Sequence, residues 1–194
     1  MVSTQQQTTV DILDANRVPV AQFSLPDGWM SATAPDRPGY FWISRFYASP
    51  EQEGCGFYLR VPAKRTYFRR AATENPFLKL LSQPAHELDE EEFLAIHLLL
   101  EHVSWPARFQ RDSAKTIYVE PFNVLEVEGT WLEQGLKARG IIMDTSRMSA
   151  AFVQEFWFVC DPARFEETRG MVDEVLGSIA WSQAVAQDLQ AQAS

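Results

Sequence analysis

Residues 64–70 read KRTYFRR and set Lys64, Arg65, Arg69 and Arg70 around Tyr67 and Phe68, in a chain whose formal net charge is -9. Cations attract phosphates and flat rings stack on bases, so the composition is that of a phosphate or nucleic-acid site. The rest of the chain opposes that chemistry. Its 26 acids against 17 bases repel phosphates at long range, and no second basic cluster is present. No nucleic-acid partner is therefore expected. The stretch reads better as a basic edge that docks an acidic patch on a partner or on a second copy of the chain, with Tyr67 and Phe68 turned inward beside Ala71 and Ala72.

Other reactive side chains are few. His86, His97 and His102 are the three histidines. His97 and His102 would lie about 140° apart on a helix and so share no metal face. His97 and Glu101 do share one, but beside Phe93 and Leu100 they read as packed helix surface. The acids Asp89, Glu90, Glu91 and Glu92 could hold a cation, yet consecutive positions diverge around a helix. A helix amino terminus explains them without a ligand. Cys55 and Cys160 are too few for a disulfide framework, and each sits in an aromatic stretch where a buried free thiol is the simple expectation, with a disulfide or a reactive thiol as the alternatives. Neither a G-x-S-x-G elbow nor a phosphate loop occurs. No catalytic residue, metal or cofactor is expected.

The aromatics carry more. The chain has 13 Phe, 6 Trp and 5 Tyr, and YFWISRFY puts Tyr40, Trp42, Ser44 and Phe46 on one strand face and Phe41, Ile43, Arg45 and Tyr47 on the other. One ringed face fits a core; the second lies under a helix or forms a groove for an apolar segment. The candidate partner-binding set is therefore Tyr40, Trp42, Phe46, Tyr67 and Phe68, with Arg65, Arg69 and Arg70 at its rim.

These residues need elements to hold them. At 194 residues one domain is expected, over residues 9–181, with flexible tails at 1–8 and 182–194. TVDIL and VPVAQFSL read as strands joined at DANR. YFWISRFY and GFYLRVP follow as two more. KRTYFRRAATEN and PFLKLLS read as short helical pieces, and LDEEEFLAIHLLLEHVSW as a longer helix stopped by Pro106. TIYVEPFNVLEVEGTWLEQGLKARGIIMD reads as an extended stretch leading into a hairpin. With Gln134 and Gly135 as its turn, Trp131 faces Ala138 and Val127 faces Ile142, while Glu126, Glu128, Thr130 and Arg139 take the opposite face. AFVQEFWFV is apolar on both faces apart from Gln154 and Glu155, which suggests a central strand. DPARFEETRGMVDEVLGSIAW predicts a long amphipathic helix, Asp161 capping, Pro162 at its first position, and Phe165, Val172, Val175, Leu176 and Ile179 in one stripe.

This order of elements resembles the superfamily that contains the PsbP extrinsic proteins of photosystem II, the Mog proteins, and the DcrB-like proteins with Eag-type effector chaperones. Phe23, Pro26 and Trp29 look like its "strand, Pro, Trp" opening, and Phe165, Ser178 and Ile179 like its closing helix. The resemblance implies an α+β fold: a three-layer α/β/α sandwich with a mostly antiparallel sheet and a long C-terminal helix. It also implies binding rather than catalysis. The middle region, 63–112, is longer than compact members need.

MVSTQQQTT has neither the basic start nor the apolar stretch of a signal peptide, and no run of about 20 apolar residues could span a membrane. The expectation is a cytoplasmic, noncatalytic chaperone or adaptor that binds another protein, or an apolar segment of one, with self-association as a variant. Two alternatives stand beside it: a PsbP-type photosynthetic assembly or extrinsic factor, and a small enzyme with its site in 63–112.

Overall fold

The structure is a computed structural model that describes residues 7–14, 16–34, 43–60, 75–97, 99–100, 103, 108–145, 153–183 and 185. Its first hairpin follows from the alternation in the sequence: β1 (Thr9–Leu13) pairs with β2 (Pro19–Ser24) from Thr9↔Ser24 to Leu13↔Pro19. Asp14 closes the connection, its carboxylate accepting the N–H of Asn16 at 2.8 Å and of Val18 at 2.9 Å. A short acid bonded to its own backbone is turn chemistry. Beyond β2, Gly28 takes φ 82°, a left-handed value that glycine adopts without a Cβ penalty. The chain then doubles back, and Trp29 is buried with its ring 4.6 Å from that of Phe57.

The strands β3 (Met30–Ala32), β4 (Ile43–Ala48) and β5 (Cys55–Arg60) come next, then two short helices, α1 (Pro76–Leu81) and α2 (Glu90–Ala95). A meander follows: β6 (Phe109–Val119), β7 (Phe122–Trp131), β8 (Leu136–Asp144) and β9 (Val153–Cys160). The helices α3 (Pro162–Thr168) and α4 (Gly170–Gly177) and the two-residue strand β10 (Ala180–Trp181) complete the fold. One sheet has the order β3-β4-β5-β9-β8-β7-β6 and is antiparallel at every pairing. A smaller sheet has the order β1-β2-β10. As its two apolar faces predict, β9 is the middle strand of the larger sheet and is buried at every position.

The expected three-layer α/β/α sandwich with a long C-terminal helix is wrong. The protein is mostly β, and its helices are short. The closing helix is divided at Arg169 into pieces of 7 and 8 residues. Two residues account for the break: the Thr168 hydroxyl donates back to the Arg164 carbonyl at 2.9 Å, a bond that bends helices, and Gly170 is a poor helix former. Phe165, Val172, Val175 and Leu176 still form the buried stripe. Asp161 makes no side-chain cap, although Pro162 does open α3. Among the described residues the middle helix runs Glu90–Ala95, followed by turns at 96–97 and 99–100 and by helical Val103. Its start is as read: Asp89 and Glu92 form a capping box, Glu92 N–H donating to Asp89 Oδ1 at 2.8 Å.

Two further expectations change. The β7–β8 hairpin pairs Trp131 with Leu136 and Gly129 with Ala138, two residues from the expected register. The loop spans four residues, 132–135, and Gly135 takes φ 65° at its end while donating to the Trp131 carbonyl at 2.8 Å. An even shift leaves every side chain on its expected face. Cys55 and Cys160, expected as free thiols, lie opposite each other across β5 and β9 and are joined in a disulfide.

The large sheet has a core on each face. On one, Trp157, Leu125, Val127 and Ile142 meet Phe77 of α1 and Phe93 of α2. On the other, Phe156, Phe158 and Ile141 meet Phe23 of the small sheet and Phe165 and Val175 of α3 and α4.

Candidate functional site

Of the eight residues singled out for partner binding, Tyr40, Trp42, Arg65, Tyr67, Phe68, Arg69 and Arg70 lie outside the described residues. Phe46 is in β4, buried in the core on the α1–α2 face. Its ring fills the space over Gly56, where an added Cβ would come within 2.7 Å of it. Glu101 and His102 are also outside the described residues. Among the described residues no group of three or more His, Cys, Asp or Glu side chains is placed to hold a metal ion.

His86 instead bonds locally. Its Nδ1 lies 2.7 Å from the Pro84 carbonyl and its Nε2 3.1 Å from Glu92 Oε1. The Pro84 carbonyl, and after it the Glu92 carboxylate, raise its pKa above the ordinary histidine value.

Charge gathers on the opposite face of the sheet. Alternation in β7 and β8 sends Glu126, Glu128 and Arg139 to the α3–α4 side, where the helices cover them. Arg139 Nε donates to Glu126 Oε2 at 2.7 Å, and the two side chains are 7% and 1% exposed. Lys115 Nζ reaches the other Glu126 oxygen at 3.2 Å. Arg139 also reaches Asp173 of α4 at 2.8 Å, and Arg169 reaches Glu128 at 2.7 Å. Burial opposes the charge on Arg139, but Asp173 and Glu126 outweigh it and raise its pKa. Buried charges are tolerated only when paired and hydrogen-bonded in this way. The charged face of the hairpin was legible in the sequence; its burial was not, because alternation alone does not say what covers a face.

Asp173 connects this network to an opening. Beside the end of β6, α4 and β10 border a solvent-open groove of about 560 Å³. Ile117 and Val119 of β6, Leu176 of α4 and Ile179 are the aliphatic residues of its lining. Tyr118, Trp181, Glu120, Asp173 and Gly177 also line it. Tyr118 is 64% exposed. Trp181 is half-buried and braced edge-to-face by Phe122, ring centroids 4.7 Å apart. Glu120 is exposed and has no ion-pair partner among the described residues. The volume is within the range that ligands and peptide side chains fill. Aliphatic side chains beside an aromatic ring and carboxylates can hold an aliphatic stem and a cationic head together.

Sequence reasoning missed this groove. Trp181 was read as the end of a helix and IYVEP as an extended lead-in. The available signal was Glu120–Pro121, a strand-breaking pair between two apolar runs that marks the β6–β7 turn.

No family model and no curated protein matches the sequence. Solved structures do. The solution structure of cyanobacterial PsbP (CyanoP) from Synechocystis sp. PCC 6803 superposes with a TM-score of 0.51 at 10% identity, covering 93% of this chain and 95% of that one. A Pseudomonas aeruginosa protein of unknown function, PA94, superposes with a TM-score of 0.44 at 11% identity, covering 91% and 98%. The likeness to CyanoP is one of fold: the chain has a PsbP-like architecture.

Proposed function

We propose that the chain is a noncatalytic protein-binding domain, an adaptor or chaperone whose contact surface includes the groove between β6, α4 and β10. The observation that carries this reading is the groove itself: half-buried Trp181 beside the aliphatic Ile117, Val119, Leu176 and Ile179, with Glu120 and Asp173 in the same lining. Interfaces concentrate affinity in aromatic side chains set in pockets, and rim charges steer encounter and partner choice. The nearby ion network favours a rigid wall, since Asp173 is tied to Arg139 at 2.8 Å. Purification of the tagged chain from its native host tests the reading. It predicts a protein partner at fixed stoichiometry after gel filtration; none at physiological salt would sink it.

A second reading is a PsbP-type photosynthetic assembly or extrinsic factor. The fold likeness to cyanobacterial PsbP supports it. Fractionation separates the two: this reading requires co-migration with a photosynthetic membrane complex, and a host without one ends it.

A further inference from the structure

We infer that the occupant of the groove is a cationic peptide segment of a partner protein, a Lys or Arg flanked by aliphatic residues. The inference rests on the protein-binding reading and specifies its site and chemistry.

Charge complementarity selects the occupant. Glu120 and Asp173 are the acids of the lining, and among the described residues no Lys or Arg lines it. Arg139 approaches Asp173 from the sheet side, yet the Asp173 side chain remains 64% exposed. Glu120 has no ion-pair partner among the described residues. An incoming cation thus meets one uncompensated carboxylate and a second that still faces solvent. An anionic or purely apolar segment would leave Glu120 desolvated without a partner, which is costly. The half-buried Trp181 ring in the lining adds a face on which a guanidinium or ammonium can sit. Ile117, Leu176 and Ile179 supply contacts for a side-chain stem and its aliphatic neighbours.

A short peptide also fits the geometry better than a folded surface. The groove runs beside the end of β6, the edge strand of the large sheet. Residues 86–88 cover the middle of that edge, with Leu88 N–H donating to the Ala114 carbonyl and Thr116 N–H to the His86 carbonyl. Past Thr116 the strand enters the groove wall, where an extended segment can lie along it.

The test uses the intact chain and synthetic peptides with Lys or Arg between aliphatic residues, each paired with the same peptide carrying Glu. Fluorescence anisotropy should show binding of the cationic member, weakened by added salt. Glu120→Lys and Glu120→Gln alter an exposed side chain, so the melting temperature should hold. Each should weaken binding by about tenfold. Binding that survives both substitutions, or that fails to prefer the cationic peptide, overturns the inference. If a stoichiometric partner from the native host stays bound to both variants, the protein-binding reading stands with a different site. A dimer in sedimentation that Glu120→Lys dissolves identifies a second copy as the occupant and also overturns it. Neither peptide nor partner bound overturns both.

Discussion

The two faces of the seven-stranded sheet are built from the same strands and end in opposite conditions. On the α1–α2 face Trp157 is fully buried, with Trp131 at 5.3 Å and Phe109 at 5.9 Å between ring centroids. Gly140 makes room for it, since a Cβ there would come within 2.5 Å of the indole. Ring-to-ring packing at interior density leaves that part of the sheet no open surface. On the α3–α4 face the second layer is a small sheet and two short helices, and beside the end of β6 it leaves a space open to solvent. The gap is the groove, and the charged side chains beside it are held by ion pairs. Close packing makes one face a foundation; incomplete coverage makes the other a site.

Substitutions can break that contrast, and the largest loss is expected on the foundation. Trp157→Ala removes a buried indole and the N–H that donates to Glu155 Oε2 at 2.8 Å. We expect about 4–5 kcal/mol of lost stability, read from urea unfolding. A loss under about 2 kcal/mol would mean that this face is looser than described.

The ion network ranks next. Arg139→Met leaves Glu126 buried with Lys115 as its remaining cation and should cost about 3 kcal/mol. Adding Glu126→Leu should recover part of that loss, because two apolar side chains then replace a buried pair. A double variant less stable than Arg139→Met alone would contradict a closed, covered network.

His86 gives the smallest effect. Its folded pKa is raised above 6.5 by the Pro84 carbonyl and Glu92. A raised pKa means that its contribution is fully present below the unfolded value and is lost as pH rises through the folded value. The stability difference between wild type and His86→Gln should therefore be larger at mildly acidic than at alkaline pH, for as long as Glu92 stays ionised. A difference that grows with pH would reverse the assignment.

What could be read from the sequence follows the same division. β9 was legible because VQEFWFVC is apolar on both faces, and only a middle strand is buried on both. The β7–β8 faces were legible too, because an even register error leaves side-chain direction unchanged. The fold class was not. An apolar stripe from Phe165 to Ile179 repeats like one helix whether or not Thr168 and Gly170 break it, and Ala180–Trp181 is too short to announce a strand. Pairing of Cys55 with Cys160 depends on β5 lying beside β9 across 105 residues of sequence, which no local pattern carries. The groove depends on how one layer covers another, a property of tertiary packing.

Hydrogen exchange of the chain with and without the tightest cationic peptide tests the central claim most directly. The account predicts added protection at residues 117–120 and 176–181 and none at 76–95. Protection at 76–95 with the groove unchanged would place the binding surface on the other face and contradict it.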